Sequence, residues 1–321
     1  MRRFRDTSEF GPTLDAAAER LGISPMAVEK DYWVSEVLRV LVRYFPEDFI
    51  FKGGTSLSKG YRIVERFSED IDVLVLPGER GRNATDKLMK KMGSTAAAGV
   101  GGEASSVGGS ETGVHRSYAV SYAAIREATS FIRPSVLLEM GVRGGQHPTE
   151  VVTISCLLGD ALDEAGTNLS EFEDLDPFEI VVLHPGRTLL EKLVYIHGQA
   201  QRLSSNASVK ANNRSGRHFY DVFQLLGDDR VYALLADHEQ VKQILDEIET
   251  ITHTHFSGGD DLELRPTGGF ASSPAFDLAS DVSARLRATY EETMPELYFG
   301  VGSLPAWDEI CARVEARRDL L

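Results

Sequence analysis

The chain has 321 residues, of which 42% are hydrophobic and 26% are charged, and its net charge is −15. This length is too great for one small core and suits two lobes, and the composition is ordinary for a globular protein. The negative charge argues against indiscriminate binding to nucleic acid, although it leaves room for a local basic groove.

The sequence also indicates where the protein works. It has no apolar run long enough to span a membrane, so we expect no membrane partner. The first fifteen residues carry Arg2, Arg3 and Arg5 without an apolar stretch behind them, which is unlike a signal peptide. Cys156 and Cys311 are far apart and lack metal-ligand spacing. We therefore expect a cytoplasmic protein without a disulfide framework.

The first elements are two predicted helices within residues 13–44. Gly22 should end the first helix, and Ser24 followed by Pro25 should begin the second. A short strand is predicted over 49–51, a helix over 55–61 and a strand over 71–76.

Further along, the Ser-, Ala- and Gly-rich residues 94–114 predict a mobile loop. Strands are predicted over 118–122, 136–142 and 151–157. From about residue 185 the pattern is helical, with further helices over 228–250 and 278–292 and a polar loop over 260–269. We expect N-terminal helices (1–45) that pack on a core (46–184), followed by a mainly helical lobe (185–321).

Two short motifs stand out. Residues 51–59 read FKGGTSLSK, and Asp70 and Asp72 lie in the predicted strand that follows. Residues i and i+2 of a strand point to one face, so the two carboxylates can converge, and hard oxygen ligands suit Mg²⁺. Gly53 and Gly54 let the backbone approach a phosphate closely. These are the working parts of a site for nucleotidyl transfer.

The pairing of Gly-Gly with Asp-x-Asp resembles the nucleotidyltransferase superfamily of the DNA polymerase β type. The segments EKDYWV (29–34), KGGTSL (52–57), EKL (191–193) and RHFYD (217–221) occur in the order seen in AbiEii-like toxins of type IV toxin–antitoxin systems, a group that includes the MenT toxins of mycobacteria. The resemblance covers roughly residues 25–225. It implies an α+β, bilobed fold, with a polymerase β-type core built on a mixed sheet and a helical C-terminal lobe.

The resemblance also implies an enzyme that uses an NTP with Mg²⁺, or alternatively Mn²⁺, and is restrained by a cognate antitoxin protein. Lys192 would reach the triphosphate, and Asp221 would fix Lys192 or polarise a hydroxyl. The family often has Arg-Asp where this chain has Arg217 and His218. A structural role for Lys192, as a surface lysine paired with an acid, is the alternative.

Other site residues follow from the residues themselves. Glu139 is the candidate for a third metal ligand, because an acid within an apolar strand is costly to bury without a partner. Its alternatives are an exposed strand face or an ion pair with Arg143. Ser56 at a helix start, with Lys59 and with Ser68 two residues before Asp70, is predicted to contact the nucleotide.

Residues 187–217 contain six bases and one acid, a net charge of +5 in an acidic protein. They predict a phosphate-facing surface, with Lys210, Arg214 and Arg217 as RNA-binding residues; the alternative is a solvated helix face. We expect transfer of NMP to an RNA acceptor, with the tRNA 3′ end taken from the family resemblance. The alternatives are nucleotidylation of a protein hydroxyl and a non-catalytic NTP-binding antiphage regulator.

Overall fold

The structure, a computed structural model, describes residues 2–68, 70–126, 133–206, 208–255, 263–300 and 302–321, with Arg214 described by its backbone alone. The chain divides into two compact units. The first consists of Met1–Arg62 with Phe67–Val182, and the second of Ile63–Arg66 with Leu183–Leu321. Within the described residues, no helix is both long and apolar enough to cross a membrane.

The first unit is built on a mixed sheet. Its strands are β1 (Phe49–Lys52), β2 (Asp70–Val75), β3 (Ala104–Ser106), β4 (His115–Ser121), β5 (Ser135–Gly141), β6 (Thr149–Ile154) and β7 (Phe178–Leu183). Their order across the sheet is β3-β4-β5-β2-β1-β7-β6. β2 pairs antiparallel with β1 and parallel with β5. The predicted α+β class with a mixed sheet is confirmed.

The helices of the first unit follow the sequence signals closely at the N-terminus. They are α1 (Phe10–Leu21), α2 (Pro25–Tyr44), the short α3 (Gly53–Thr55), α4 (Arg82–Val100) and α5 (Leu157–Glu164). Gly22 ends α1 with a positive φ of 67°, and Ser24 caps α2 by accepting a hydrogen bond of 3.2 Å from the Ala27 N–H. Both predicted helix boundaries are confirmed.

The prediction of a loop over residues 94–114 is wrong in part. Helix α4 continues to Val100, and residues 104–106 form β3. The small residues that suggest flexibility instead allow close packing. A Cβ atom added to Gly93 would lie 2.7 Å from the Tyr118 ring, and one added to Gly99 would lie 2.4 Å from the Val40 side chain. Glycine on this helix is therefore a packing requirement.

Residues 29–33 of α2 are structural, because successive side chains anchor the helix to different segments. Buried Glu29 accepts hydrogen bonds from the backbone N–H groups of Ile125 and Arg126, at 2.8 and 3.0 Å. Buried Lys30 donates to the carbonyl oxygens of Arg133 and Ser135. Buried charges that satisfy backbone groups in this way fix the path of the chain around them.

Asp174 is the second anchor of the first unit. This buried carboxylate accepts hydrogen bonds from the backbone N–H groups of Phe4 and Arg5, at 2.8 and 3.1 Å, and from the Tyr32 hydroxyl, at 2.6 Å. It therefore holds the N-terminal segment against α2. Trp33, the residue after Tyr32 in α2, stacks on Tyr122, with ring centroids 5.0 Å apart.

The described residues of the second unit are mainly helical. The helices are α6 (Pro185–Ser205), α7 (Gly216–Leu225), α8 (Asp229–Leu235), α9 (His238–His255), α10 (Asp281–Leu297) and α11 (Trp307–Glu315). The single helix predicted over 228–250 is two helices, because Asp237 accepts a hydrogen bond from the Gln240 N–H and starts a new one. Residues 260–262 of the predicted polar loop lie outside the described residues.

We predict that Asp174→Ala lowers the free energy of unfolding of the first unit by about 3 kcal/mol, because three donors, those of Phe4 and Tyr32 in buried hydrogen bonds, lose their acceptor. Glu173→Ala is the matched control. That carboxylate pairs with a partly exposed Arg3 at 3.1 Å, so its loss should cost less than about 1 kcal/mol. Urea unfolding followed by Trp33 emission, in a Trp307→Phe background, measures both. Equal effects of the two substitutions would contradict the anchoring role.

Candidate active site

Asp70 and Asp72 lie on one face of β2, as the period of two predicts. Both are half-exposed, whereas Ile71 and Val73 between and after them are buried in the core. The strand therefore presents the two carboxylates side by side on the face opposite to that of Ile71 and Val73.

The register of the sheet brings further charged residues to the same face. Asp72 is opposite Lys52 of β1 and opposite Glu139 of β5. Directly opposed residues on neighbouring strands project to one side of a sheet, so Lys52, Asp72 and Glu139 form a row. Sequence reasoning had not assigned Lys52 to the site. Its only sequence signal is its place immediately before the glycine pair.

Glu139 is half-exposed, so it is not an acid buried within the strand, and the alternative of an exposed strand face stays open. The alternating burial of β5 explains the difference, since every second residue lies on the face shared with Asp72. The partner suggested for Glu139, Arg143, pairs with Glu111 at 3.0 Å. Among the described residues, no group of three acidic, histidine or cysteine side chains is close enough to hold a metal ion. The role of Glu139 as a metal ligand stays a prediction.

The glycine turn packs directly on Asp72. Gly53 has a φ of 79°, and a Cβ atom added there would lie 2.2 Å from Asp72 Oδ2. Only glycine adopts this conformation readily and leaves room for the carboxylate. The turn and the Asp70/Asp72 pair are thus one piece of structure, and this hard-oxygen pair suits a divalent cation such as Mg²⁺.

Thr55 links the turn to the start of β2. Its buried Oγ1 lies 2.8 Å from Ser68 Oγ and is hydrogen-bonded to the carbonyl oxygen of Asp70. Ser68 is half-exposed and shares this Thr55 hydroxyl with the backbone of Asp70, so it lies near the start of β2, and its contact with a nucleotide stays a prediction. Thr55 was not predicted as a site residue. Its contact with Ser68, thirteen residues away, could be read only from the fold.

The geometry favours structural roles for Ser56 and Lys59. Ser56 is fully buried and its hydroxyl donates to the Gly53 carbonyl oxygen at 2.8 Å. Lys59 Nζ lies 2.5 Å from Asp31 Oδ1, and the lysine side chain is 7% exposed. The predicted helix over 55–61 is the short α3 followed by a five-residue π-helical turn. So short an element adds little positive potential at its start.

In the second unit, Lys192 and Asp221 meet as the motifs suggested. Lys192 Nζ lies 2.8 Å from Asp221 Oδ2, and Arg66 grips both oxygens of Asp221 at 2.6 and 2.8 Å. Asp221 is fully buried and Arg66 is 1% exposed. Burial acts to raise the pKa of Asp221, but Arg66 and Lys192 hold it below its usual range. Sequence reasoning missed Arg66, which is 155 residues from Asp221.

The pairing of Lys192 bears on its charge. Burial lowers the pKa of Lys192, and the neighbouring Asp221 opposes that shift. The alternative of a surface lysine paired with an acid is wrong in its location, since the side chain is 10% exposed, although the pairing with an acid is present. His218, also on α7, places its Nδ1 3.2 Å from Lys192 Nζ.

The basic stretch 187–217 is only partly a surface. Arg187 is fully buried and pairs with Glu191 and Glu247, at 3.3 and 2.6 Å, so the expectation of a phosphate-facing side chain there is wrong. Lys210 is exposed and Arg217 is half-exposed. The side chain of Arg214 lies outside the described part of the structure.

A solved structure of MenT4, the nucleotidyltransferase toxin Rv2826c from Mycobacterium tuberculosis H37Rv, is similar to this chain at a TM-score of 0.39 and 17% identity. That similarity covers 94% of this chain and 98% of MenT4. Similarity at this level says nothing about individual site residues. No curated protein sequence matches the chain.

The match to a family is much broader than any single motif. Residues 39–313 match the family described as nucleotidyl transferase AbiEii toxin, type IV TA system. This range includes β2, the glycine turn and the Lys192–Asp221 pair, and it confirms the resemblance drawn from the motifs. The chain therefore belongs to the AbiEii family of nucleotidyltransferase toxins of type IV toxin–antitoxin systems.

Proposed function

We propose that the protein transfers the nucleoside monophosphate of an NTP to the 3′ end of tRNA, in a Mg²⁺-dependent reaction in the cytoplasm that blocks translation and growth. A cognate antitoxin protein restrains it. The observation that carries the catalytic part is the placement of Asp70 and Asp72 on one face of β2, with Gly53 packed against Asp72.

In this mechanism Asp70 and Asp72 would hold Mg²⁺, and Glu139, opposite Asp72 on β5, would have to move closer to serve as a third ligand. When bound there, Mg²⁺ would neutralise phosphate charge and help to orient the attacking hydroxyl. The terminal hydroxyl of the acceptor attacks the α-phosphorus and loses its proton to solvent, while the bond from the α-phosphorus to the α,β-bridging oxygen breaks and pyrophosphate leaves. The chain's main contribution is alignment, which a rigid strand pair and a close-packed turn can supply.

Lys192 binds β- or γ-phosphate oxygens of the NTP as a point charge. Asp221 acts on it as a positioning residue, since a fully buried carboxylate gripped by Arg66 has no exposed surface for substrate. Thr55 and Ser68 keep the entry to β2 in register with the turn. The phosphates of the RNA are bound by the side chains of Lys210, Arg214 and Arg217.

We predict that Asp70→Asn and Asp72→Asn each lower the rate of label transfer by about a thousandfold or more, because a metal ligand is lost while the side-chain shape is kept. Asp160→Asn is the control, since this acid on α5 pairs with the exposed Arg62. The assay is transfer of label from each α-³²P-NTP to total RNA with Mg²⁺. Near-normal activity of either variant, with its melting temperature unchanged, would refute the metal assignment.

Gly53→Ala should abolish most activity, because its Cβ would displace Asp72 in addition to straining the backbone. Gly22→Ala is the control that measures backbone strain without a steric clash. Its φ is also positive, but an added Cβ meets nothing within 4 Å, so it should cost about 1 kcal/mol of stability and no activity. Kinetics and thermal unfolding of both variants decide the matter. An active Gly53→Ala enzyme would show that the turn does not position Asp72.

The acceptor class is tested by reversing charge in the basic segment. The double variant Lys210→Glu, Arg214→Glu should raise the KM for RNA more than the KM for NTP, and wild-type activity should fall steeply with added salt. Arg217 is left intact because it is electrostatically coupled to His218 and Lys192.

The control for this pair is Arg43→Glu with Lys87→Glu, two exposed bases of the first unit whose reversal changes the net charge equally. It should leave both KM values unchanged. A reaction that is insensitive to salt, labels protein and survives RNase would instead assign the acceptor to a protein hydroxyl.

A further inference from the structure

The ammonium group of Lys192 lies between two acceptors on α7. Asp221 Oδ2 is 2.8 Å from Nζ, and His218 Nδ1 is 3.2 Å from it. A lysine ammonium has three N–H donors in staggered directions. With two of them directed at α7, the third has a fixed direction.

His218 can accept this hydrogen bond only in one form. An ammonium has no lone pair, so the lone pair in the contact must belong to Nδ1, and the ring proton must be on Nε2. The ring is held in place by Tyr195, one turn along α6 from Lys192, with ring centroids 4.7 Å apart. Tyr195 is itself fixed, since its hydroxyl lies 3.4 Å from Ser215 Oγ.

The charges around His218 favour the neutral ring. Three of its charged neighbours are cations: Lys192 on α6, Arg217 next to His218 on α7, and Arg66. The fourth, Asp221, is an anion. Burial and then Lys192 hold the pKa of His218 well below its usual range. At neutral pH the ring is therefore an acceptor, and a protonated ring would place two cations 3.2 Å apart.

We propose that neutral His218 is a positioning residue which, together with Asp221, orients Lys192 so that its remaining N–H meets a phosphate oxygen of the NTP. This proposal rests on the proposed function, because it takes the NTP as the ligand of Lys192. It assigns a role to the position within the RHFYD segment (217–221) where the family often has an aspartate, and it gives the site a proton-dependent state.

The direction of the pH dependence follows from the geometry. As the pH falls through the depressed pKa of His218, protonation removes an acceptor and repels the ammonium, so NTP affinity should fall. Asp221 stays ionised over this range, since its own pKa is held below the usual value. The loss of affinity should therefore appear on the acid side of neutrality and vanish when residue 218 cannot titrate.

Two substitutions separate the acceptor from the ring. His218→Asn puts an amide oxygen in the place of Nδ1 and cannot be protonated, so it keeps the acceptor without the titration. His218→Phe keeps a ring for Tyr195 and removes the acceptor. His238→Asn is the control, because that histidine is exposed at the start of α9. Each variant is first checked for an unchanged melting temperature.

The measurement is the Kd of each of the four NTPs with Mg²⁺ by calorimetry from about pH 4.5 to 8, a range that extends well below the usual pKa of histidine, alongside kcat and KM for label transfer. His218→Phe should weaken NTP binding about tenfold or more at pH 8, the value of one hydrogen bond to a charged group. His218→Asn should bind within about threefold of wild type at pH 8 and lack the weakening of wild type in acid.

Binding by His218→Phe equal to wild type, or an acid limb that persists in His218→Asn, would overturn the proposal. Because binding is measured apart from transfer, the two claims can fail separately. A wild type that binds NTP with the expected dependence on His218 but labels no acceptor would refute the proposed function alone. A wild type that binds none of the four NTPs would overturn both.

Discussion

The register of β2 between β1 and β5 is the constraint on which the rest of the candidate site depends. It sets Asp72 opposite Lys52 on one side and opposite Glu139 on the other. A slip of one residue would turn Asp70 and Asp72 into the core and bring Ile71 and Val73 to the working face. The cost of burying two carboxylates makes that alternative unfavourable.

The register is supported by contacts that the apolar pattern alone would not supply. Gly53 packs against Asp72, and the Thr55 hydroxyl donates a hydrogen bond to the Asp70 carbonyl oxygen. These contacts fix the position of β2 relative to the turn that precedes it. Asp31 joins this arrangement to α2, since it pairs with Lys59 and accepts a 2.7 Å hydrogen bond from the Leu157 N–H. Through Asp31, α2 therefore holds the segment that follows the glycine turn and the start of α5.

The sequence was sufficient wherever a feature depends on neighbours along the chain. The end of α1 at Gly22, the cap at Ser24 and the shared face of Asp70 and Asp72 follow from local geometry. Composition misled over residues 94–114, because small residues serve close helix packing as well as flexibility. Strand β7 was missed, although its residues Phe178–Leu183 are apolar apart from one acid.

What could not be predicted depends on contacts between distant residues. The hydrogen bonds from Arg66 to Asp221 join two residues with no shared motif. The pair of buried Arg187 with exposed Glu247 has no local signal either. The same limit applies to the roles of Ser56 and Lys59. Their place in a glycine-rich motif suggested nucleotide contacts, whereas their hydrogen bonds are made to Gly53 and Asp31.

The central claim is that Asp70 and Asp72 together hold the divalent cation that accompanies the NTP. The most direct test is a crystal structure with Mn²⁺ and a non-hydrolysable NTP analogue, with the metal located by anomalous scattering. The account predicts a peak about 2.1 Å from an oxygen of each carboxylate, a distance typical of octahedral oxygen coordination, with a phosphate oxygen completing the contact. A nucleotide bound with its metal away from these two side chains would contradict it.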